Sequence, residues 1–277
     1  MIHFYDMPQG SEAWDDIRRK RLTSSEFDKV CTFNKTSTAS LIKDVSEEEL
    51  KKMSRAKRQL EVYEVLKNGD TDCSVLNDSG LSGLVKKGLA QVSKDDKGCN
   101  LTLSSAKKHV DLLIARSMFT PAEIGERPPT EAMDRGTSLE DSARMEFEFT
   151  TGMNVEQVGF CINDEISQMA GSSTDGMIND RSSVLEVKCP LPQTHLRYLR
   201  QGFLPTEYRA QVHGAMAITG VNSAYFMSYC PKLPNFILKV QRDNYTSNLI
   251  KVIKAFDSLY QEQLADLKTL ELGKGVV

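Results

Sequence analysis

The hydrophobic period of this chain changes near Val155, and that change limits its fold more than any other feature. Upstream, apolar residues recur at helical spacing. Val110, Leu113, Ile114 and Met118 share one side of SSAKKHVDLLIARSMF, and Leu139, Ala143 and Phe147 share one side of TSLEDSARMEFEFTTG, with Gly152 placed to end that helix. From Val155 the runs VGFCI, QMAGSS, DGMI and VLEVK are short and near period two. Turn residues at 163–165 and 179–183 bound them, which reads as a small antiparallel meander. Helical spacing returns over 205–219 despite Gly214, AYFMSYC and FILKVQR read as two more strands, and 244–272 reads as an amphipathic helix burying Leu249, Val252, Ile253, Phe256 and Leu259. This order predicts an α/β protein with a mixed central sheet flanked by helices.

The amino-terminal part is a helical opening to about residue 34, where Trp14, Ile17 and Arg21 fall at helical spacing before a second helix that Thr23, Ser24 or Ser25 can cap. Residues of about 35–103 are richer in Lys, Ser, Asp and Gly and read as a peripheral insertion into one domain spanning 1–277. The chain shows neither a run of about 18 apolar residues nor a basic start followed by an apolar core, so the expectation is a cytoplasmic protein with no membrane partner. Six cysteines without a C-x-x-C pair exclude a zinc ribbon and read as free thiols. The four histidines lack ligand spacing, and P-loop and dinucleotide fingerprints are missing. The net charge of −3 does not announce a nucleic-acid binder, although basic residues cluster at Arg18 to Arg21 and Lys51 to Arg58; the second cluster reads equally as a solvated helix face or as a phosphate track.

Within the meander, VLEVK carries two opposite charges two positions apart. On a strand, side chains alternate faces, so Glu186 and Lys188 point the same way while Leu185 and Val187 pack on the other side. Such a pair is ordinarily a solvated face or a cross-strand ion pair. Asp175, across the turn at 179–183, can approach Glu186. Two carboxylates held together repel unless a cation sits between them, and a hard divalent ion, Mg²⁺ first, suits oxygen ligands. Mg²⁺ acidifies water and neutralises a phosphate oxygen, and a neighbouring Lys orients or helps deprotonate the attacking water, which is phosphodiester hydrolysis chemistry.

Asp, ten residues, Glu, one residue and Lys match the PD-(D/E)xK nuclease signature, and the agreement extends further. AWDDIRRKRLTSSE, LEDSARMEFEFTTGMNV, STDGMI, LEVKCP and EYRAQVHGAM resemble, in order, segments of the phage lambda exonuclease family, also called the YqaJ-like viral recombinase family. Thr174 stands where that family often has Pro, His213 replaces a Gln, and the 35–103 segment is longer than its lambda counterpart. The resemblance implies a restriction-endonuclease-like core in which Asp175, Glu186 and the Val187 carbonyl bind Mg²⁺, with Mn²⁺ as substitute. It further implies that Glu140 completes the metal site, that Lys188 activates the water, and that Tyr208 and Gln211 meet the scissile phosphate or its water. Arg18 and Ser25 would grip a 5′-terminal phosphate. From the residues alone, Glu140 is a solvated charge on the polar side of its helix. Tyr208 and Gln211, three apart, share a face as phosphate contacts or as a packed Tyr and a capping amide. Arg18 and Ser25 are either a surface Arg with a routine cap or an anion site at a helix start.

The activity implied is 5′ to 3′ exonuclease digestion of double-stranded DNA ends by a homotrimer ring, leaving a 3′ single strand for a single-strand annealing protein in phage-type recombination, in the host cytoplasm. The alternatives are another PD-(D/E)xK endonuclease, a single-strand nuclease, or a non-catalytic DNA-binding protein that kept the fold.

Overall fold

The computed structural model describes residues 1–33, 36–41, 62–64, 84, 90–95, 99–126, 128 and 130–273. Contacts divide the chain into two compact units, Met1–Thr32 with Cys99–Val277, and Phe33–Gly98. The described elements, in chain order, are β1 (Ile2–Tyr5), α1 (Glu12–Arg19), β2 (Leu22–Thr23), a 3-10 turn (Ser24–Glu26), α2 (Phe27–Val30), β3 (Cys31–Phe33), β4 (Thr36–Leu41), β5 (Ala90–Asp95), β6 (Cys99–Leu101), α3 (Leu103–Met118), α4 (Glu131–Thr151), β7 (Val155–Glu156), β8 (Phe160–Asn163), β9 (Ser167–Ser172), β10 (Gly176–Ile178), β11 (Ser183–Lys188), α5 (Pro192–Gln201), α6 (Thr206–Thr219), β12 (Ser223–Ser228), β13 (Phe236–Gln241) and α7 (Asn244–Gly273). In the Phe33–Gly98 unit, β4 pairs antiparallel with β5, and Val62, Tyr63 and Leu84 are buried. Most of the expected 35–103 insertion, including the Lys51 to Arg58 cluster, lies outside the described residues.

The α/β class holds, but the expected meander is divided. Strands β8 and β9 pair with each other inside a four-stranded sheet, β1-β8-β9-β2, whereas β10 and β11 belong to a five-stranded sheet, β13-β12-β11-β10-β7. Both sheets are mixed: β2 runs parallel to β9, and β11 runs parallel to β12. The break falls at residues 173–175, so Asp175 lies in the crossing from one sheet to the other, immediately before β10.

Each face of β11 meets a different helix layer, as alternation demands. Val184 packs with Tyr198 of α5, Val212, Ala215 and Met216 of α6 and Phe226 of β12. On the opposite face, Leu185 and Val187 pack with Ala143 and Phe147 of α4, Ile178 and Met227. Helix α4 ends where expected, at Gly152 with φ of +69°, a conformation glycine adopts without a Cβ clash. Gly214 is tolerated inside α6 because the helix lies against α2: a Cβ there would fall 2.3 Å from the ring of Phe27. Helix α7 buries Leu249, Val252, Ile253, Phe256 and Leu259, as the periodicity predicts. Met118, expected on the buried side of α3, is exposed at the last turn of that helix, beyond the reach of the packing that buries Val110 and Leu113. Helix α5, between Leu191 and a left-handed Gly202, was not singled out by the hydrophobic pattern; Pro at its start and Gly at its end are the signals that mark it.

Candidate active site

The site forms where β10 stops. This strand is three residues long, with Gly176 opposite Leu185, so the last half of β11 has β12 on one side and no strand on the other. Asp175, in the bend before β10, occupies the open edge: its Oδ2 accepts the Val187 amide at 2.6 Å, in place of the missing ladder bond. A residue's N–H and C=O point to the same edge of a strand. The Val187 carbonyl therefore shares Asp175's edge, in keeping with the Lys188 carbonyl, which turns the other way to accept from Tyr229.

Glu186 and Lys188 emerge from the β11 face toward α6. Lys188 Nζ donates to Glu186 Oε1 at 2.6 Å, and Gln211 Nε2 donates to the same oxygen. Tyr208, one helical turn before Gln211, is stacked on Phe226 and places its ring 5.3 Å from the ammonium. Lys188 is opposite Ser228, whose hydroxyl meets buried His195 Nδ1 at 2.8 Å, while His195 Nε2 meets the Pro234 carbonyl at 2.9 Å. Buried His195 thus fixes the end of β12 beside the ammonium. Five of the residues singled out from sequence, Asp175, Glu186, Lys188, Tyr208 and Gln211, converge here.

Glu140 reaches the cluster by another route. It lies one turn before Ala143 and two before Phe147, on the inward stripe of α4 and not on a polar side, and it is half-buried. Helix α4 covers the opposite face of the sheet, and from there the charge of Glu140 is coupled to those of Asp175 and Lys188. Among the described residues no three His, Cys, Asp or Glu side chains gather closely enough to hold an ion by themselves, so Glu140 does not close a three-carboxylate cage. Its influence is electrostatic. Burial, and next the charge of Asp175, push its carboxyl up to about 7. Burial pushes Glu186 up to about 7 as well, against the attraction of Lys188 and with the repulsion of Asp175. Burial raises Asp175 too, opposed first by Lys188. For Lys188, burial favours the neutral amine, but Glu186 and Asp175 outweigh it and keep the ammonium charged above its usual range.

These donors fit a hard divalent cation. All are oxygens, the carboxylates repel one another, and no described residue hydrogen-bonds Asp175 Oδ1 or Glu186 Oε2. Asp175, Glu186 and the Val187 carbonyl would hold the ion, leaving its other positions to water or phosphate, as Mg²⁺ prefers.

Arg18 and Ser25 lie on the neighbouring segment. The Arg18 guanidinium sits 4.7 Å over the Trp14 ring and its charge is felt at Asp175. Trp14 Nε1 donates to Gly159 O at 2.9 Å and to Ser173 Oγ at 3.0 Å, tying α1 to the loop that leads to Asp175. The Thr23 to Ser25 run does not open a long helix. It forms a 3-10 turn followed by the one-turn α2, so the backbone dipole adds little. Hydroxyls are what remain: exposed Ser25 Oγ is 2.9 Å from Thr23 Oγ1, and Ser24 Oγ is 3.0 Å from Ser172 Oγ, three residues before Asp175.

Two arginines of α4 were not found from sequence. Arg135 Nη1 donates to the carbonyls of Cys189 at 2.7 Å and Pro190 at 3.1 Å, directly after Lys188, and Arg144 Nη1 donates to the Asp175 carbonyl at 3.2 Å. The available signal was position, since Arg144 follows Glu140 by four residues and shares its face. Cys189, beside Lys188, is a poor nucleophile: burial, then Glu140 and Asp175, push its thiol up to about 11.

Residues 94–222 match the family model of the YqaJ-like viral recombinase domain, a span that contains every cluster residue from Glu140 to Gln211. The fold is shared with an alkaline exonuclease, LHK-Exo from Laribacter hongkongensis, over 96% of this chain and 98% of that one, at 22% identity and a TM-score of 0.57. The structure of LHK-Exo in complex with dAMP gives 20% identity, coverage of 95% and 99%, and a TM-score of 0.58. No curated protein matches the chain. No helix among the described residues is long and apolar enough to cross a membrane.

Proposed function

We propose that this chain, of which residues 94–222 match the model of the YqaJ-like viral recombinase domain, is a metal-dependent nuclease that digests double-stranded DNA from its 5′ ends and leaves a 3′ single strand. The observation that carries the reading is the convergence of Asp175, Glu186 and Lys188 at the open edge of β11, with Gln211 and Tyr208 presented by α6. The alkaline exonuclease activity named for the structural neighbour supports it.

A bound Mg²⁺, or Mn²⁺ in its place, supplies charge neutralisation at the phosphate and acidifies water. The residues do the rest. Asp175 and Glu186 hold the ion, and Gln211 fixes the Glu186 carboxylate. Lys188, hydrogen-bonded to Glu186, orients the attacking water and offsets charge growing on the phosphate, the water's proton passing to solvent. Tyr208 and the Lys188 ammonium bound the position of the scissile phosphate. Arg18 and Ser25 grip the terminal 5′-phosphate and set polarity. The working assembly in this reading is a homotrimer ring around the duplex in the host cytoplasm, delivering its product to a single-strand annealing protein. A ring lets an acidic chain retain DNA because topology replaces part of the electrostatic grip.

The test is digestion of end-labelled linear duplex, with and without a 5′-phosphate, beside a closed circle, in Mg²⁺ or Mn²⁺. Loss of the 5′ label first, preference for the phosphorylated end and survival of the circle are expected. Cleavage of the circle, or loss of the 3′ label first, would refute the assignment.

A further inference from the structure

Among the described residues two groups hydrogen-bond Asp175, one from the strand beside it and one from a helix. The Val187 amide fixes Oδ2, and the Arg144 guanidinium, reaching from α4 on the far side of the sheet, fixes the backbone carbonyl at 3.2 Å. Arg144 is in turn held. Its Nη2 donates to Asp141 Oδ1, and the Gln157 amide, oriented with its oxygen toward the guanidinium, accepts from Nε at 3.0 Å and from Nη2. These bonds occupy four of the five N–H groups of the fork, and the side chain is only 13% exposed. A guanidinium so committed has little left to offer a substrate phosphate. Its geometry locks the bend that carries Asp175 onto the helix that carries Glu140, across a point where the chain has left one sheet and not yet entered the next.

We infer that Arg144, oriented by Gln157 and Asp141, is a positioning residue that sets the angle at which the Asp175 carboxylate meets the ion. The inference rests on the metal-nuclease reading above. The guanidinium makes these bonds from three separate nitrogens with four N–H groups; an ammonium, with three N–H groups on one nitrogen, satisfies the acceptors only partly. Groups that orient metal ligands change affinity about 10- to 100-fold when removed.

The experiment is Mn²⁺ titration of the DNA-free protein by calorimetry for wild type, Arg144→Met, Arg144→Lys and Gln157→Leu, paired with the salt dependence of duplex binding in Ca²⁺. Arg144→Met is expected to bind Mn²⁺ about 10- to 100-fold more weakly, Arg144→Lys to recover part of the loss, and the salt slope to stay unchanged. A folded Arg144→Met protein with wild-type Mn²⁺ affinity overturns the inference. So does a salt slope lower by about one, the mark of a lost phosphate contact. Should Arg144→Met fail to fold, Gln157→Leu decides: weakened Mn²⁺ binding supports the inference and unchanged binding overturns it. A wild-type chain that binds no Mn²⁺ overturns the metal reading itself, a result distinct from wild-type affinity in the variants.

Discussion

Replacing Gly214 by alanine tests how closely α6 packs against the segment that carries Ser24, Ser25 and Phe27. The new Cβ would lie 2.3 Å from Cδ2 and 2.5 Å from Cε2 of Phe27, and 3.5 Å from the Ser24 Cβ. Carbon atoms rest about 3.5–4.0 Å apart, so the Phe27 ring must retreat by more than about 1 Å. That ring is completely buried, and α2 must move with it. Overpacking of this kind costs about 1–3 kcal/mol. The helix propensity of alanine returns about 1 kcal/mol, which leaves a net loss of up to about 2 kcal/mol. Urea denaturation of Gly214→Ala should give a lower midpoint at an unchanged m-value. Phe27→Leu, which removes the clashing edge, should be less damaging in the Gly214→Ala background than alone, a favourable coupling of about 0.5 kcal/mol or more. Because Ser24 and Ser25 move with α2, preference for a 5′-phosphorylated end should fall as well. If Gly214→Ala is more stable than wild type by about 1 kcal/mol, as in a free helix, the close approach of α6 to Phe27 is not what requires glycine.

Three further outcomes are expected. Lys188→Ala should abolish cleavage yet bind duplex DNA in Ca²⁺ with near wild-type affinity; normal digestion by this variant removes Lys188 from the reaction. Arg18→Ala should equalise digestion of phosphorylated and unphosphorylated ends and lower the slope of log K against log salt by about 0.9; an unchanged slope means that Arg18 touches no phosphate. Glu26, nearly buried, is 3.2 Å from Lys29 Nζ, 3.4 Å from Arg116 Nη1 and 3.6 Å from His109 Nε2. Burial acts to raise its carboxyl, but the His109 ring, Lys29 and Arg116 outweigh that and hold it well below the ordinary range. The depressed folded-state value means that the stabilisation is fully present above the unfolded value of about 4.3 and fades as pH falls below it. Glu26→Gln should therefore shallow the loss of stability below pH of about 4.3 by up to about 1.4 kcal/mol per pH unit, read from urea midpoints; identical slopes in the two proteins would exclude Glu26 as a contributor.

The site was legible in sequence wherever its geometry is local. Alternation along VLEVK puts Glu186 and Lys188 on one face whatever surrounds the strand, and a spacing of three puts Tyr208 and Gln211 on one side of α6 in the same way. The amphipathic stripes of α4 and α7 are equally local, since 3.6 residues per turn is a property of the backbone. By contrast, the same local view cast Glu140 as a solvated charge. Nothing within a few positions of it states that α4 covers the sheet, or that its inward stripe brings Glu140 within the influence of Asp175.

The sequence by itself determined the α/β class, the position of the change from helix to strand, and the common face of the acid and the ammonium on β11. Only the tertiary structure decided that β9 and β10 part into different sheets, and that β10 stops short and leaves the Val187 amide to Asp175. It also decided that Arg144 crosses from the opposite layer to hold that bend. The physical reason is range. Periodicity reports which way a side chain points relative to its own backbone. Burial, ionisation and the partner of a strand edge depend on segments tens of residues away, brought together only when the two faces of the sheet are packed.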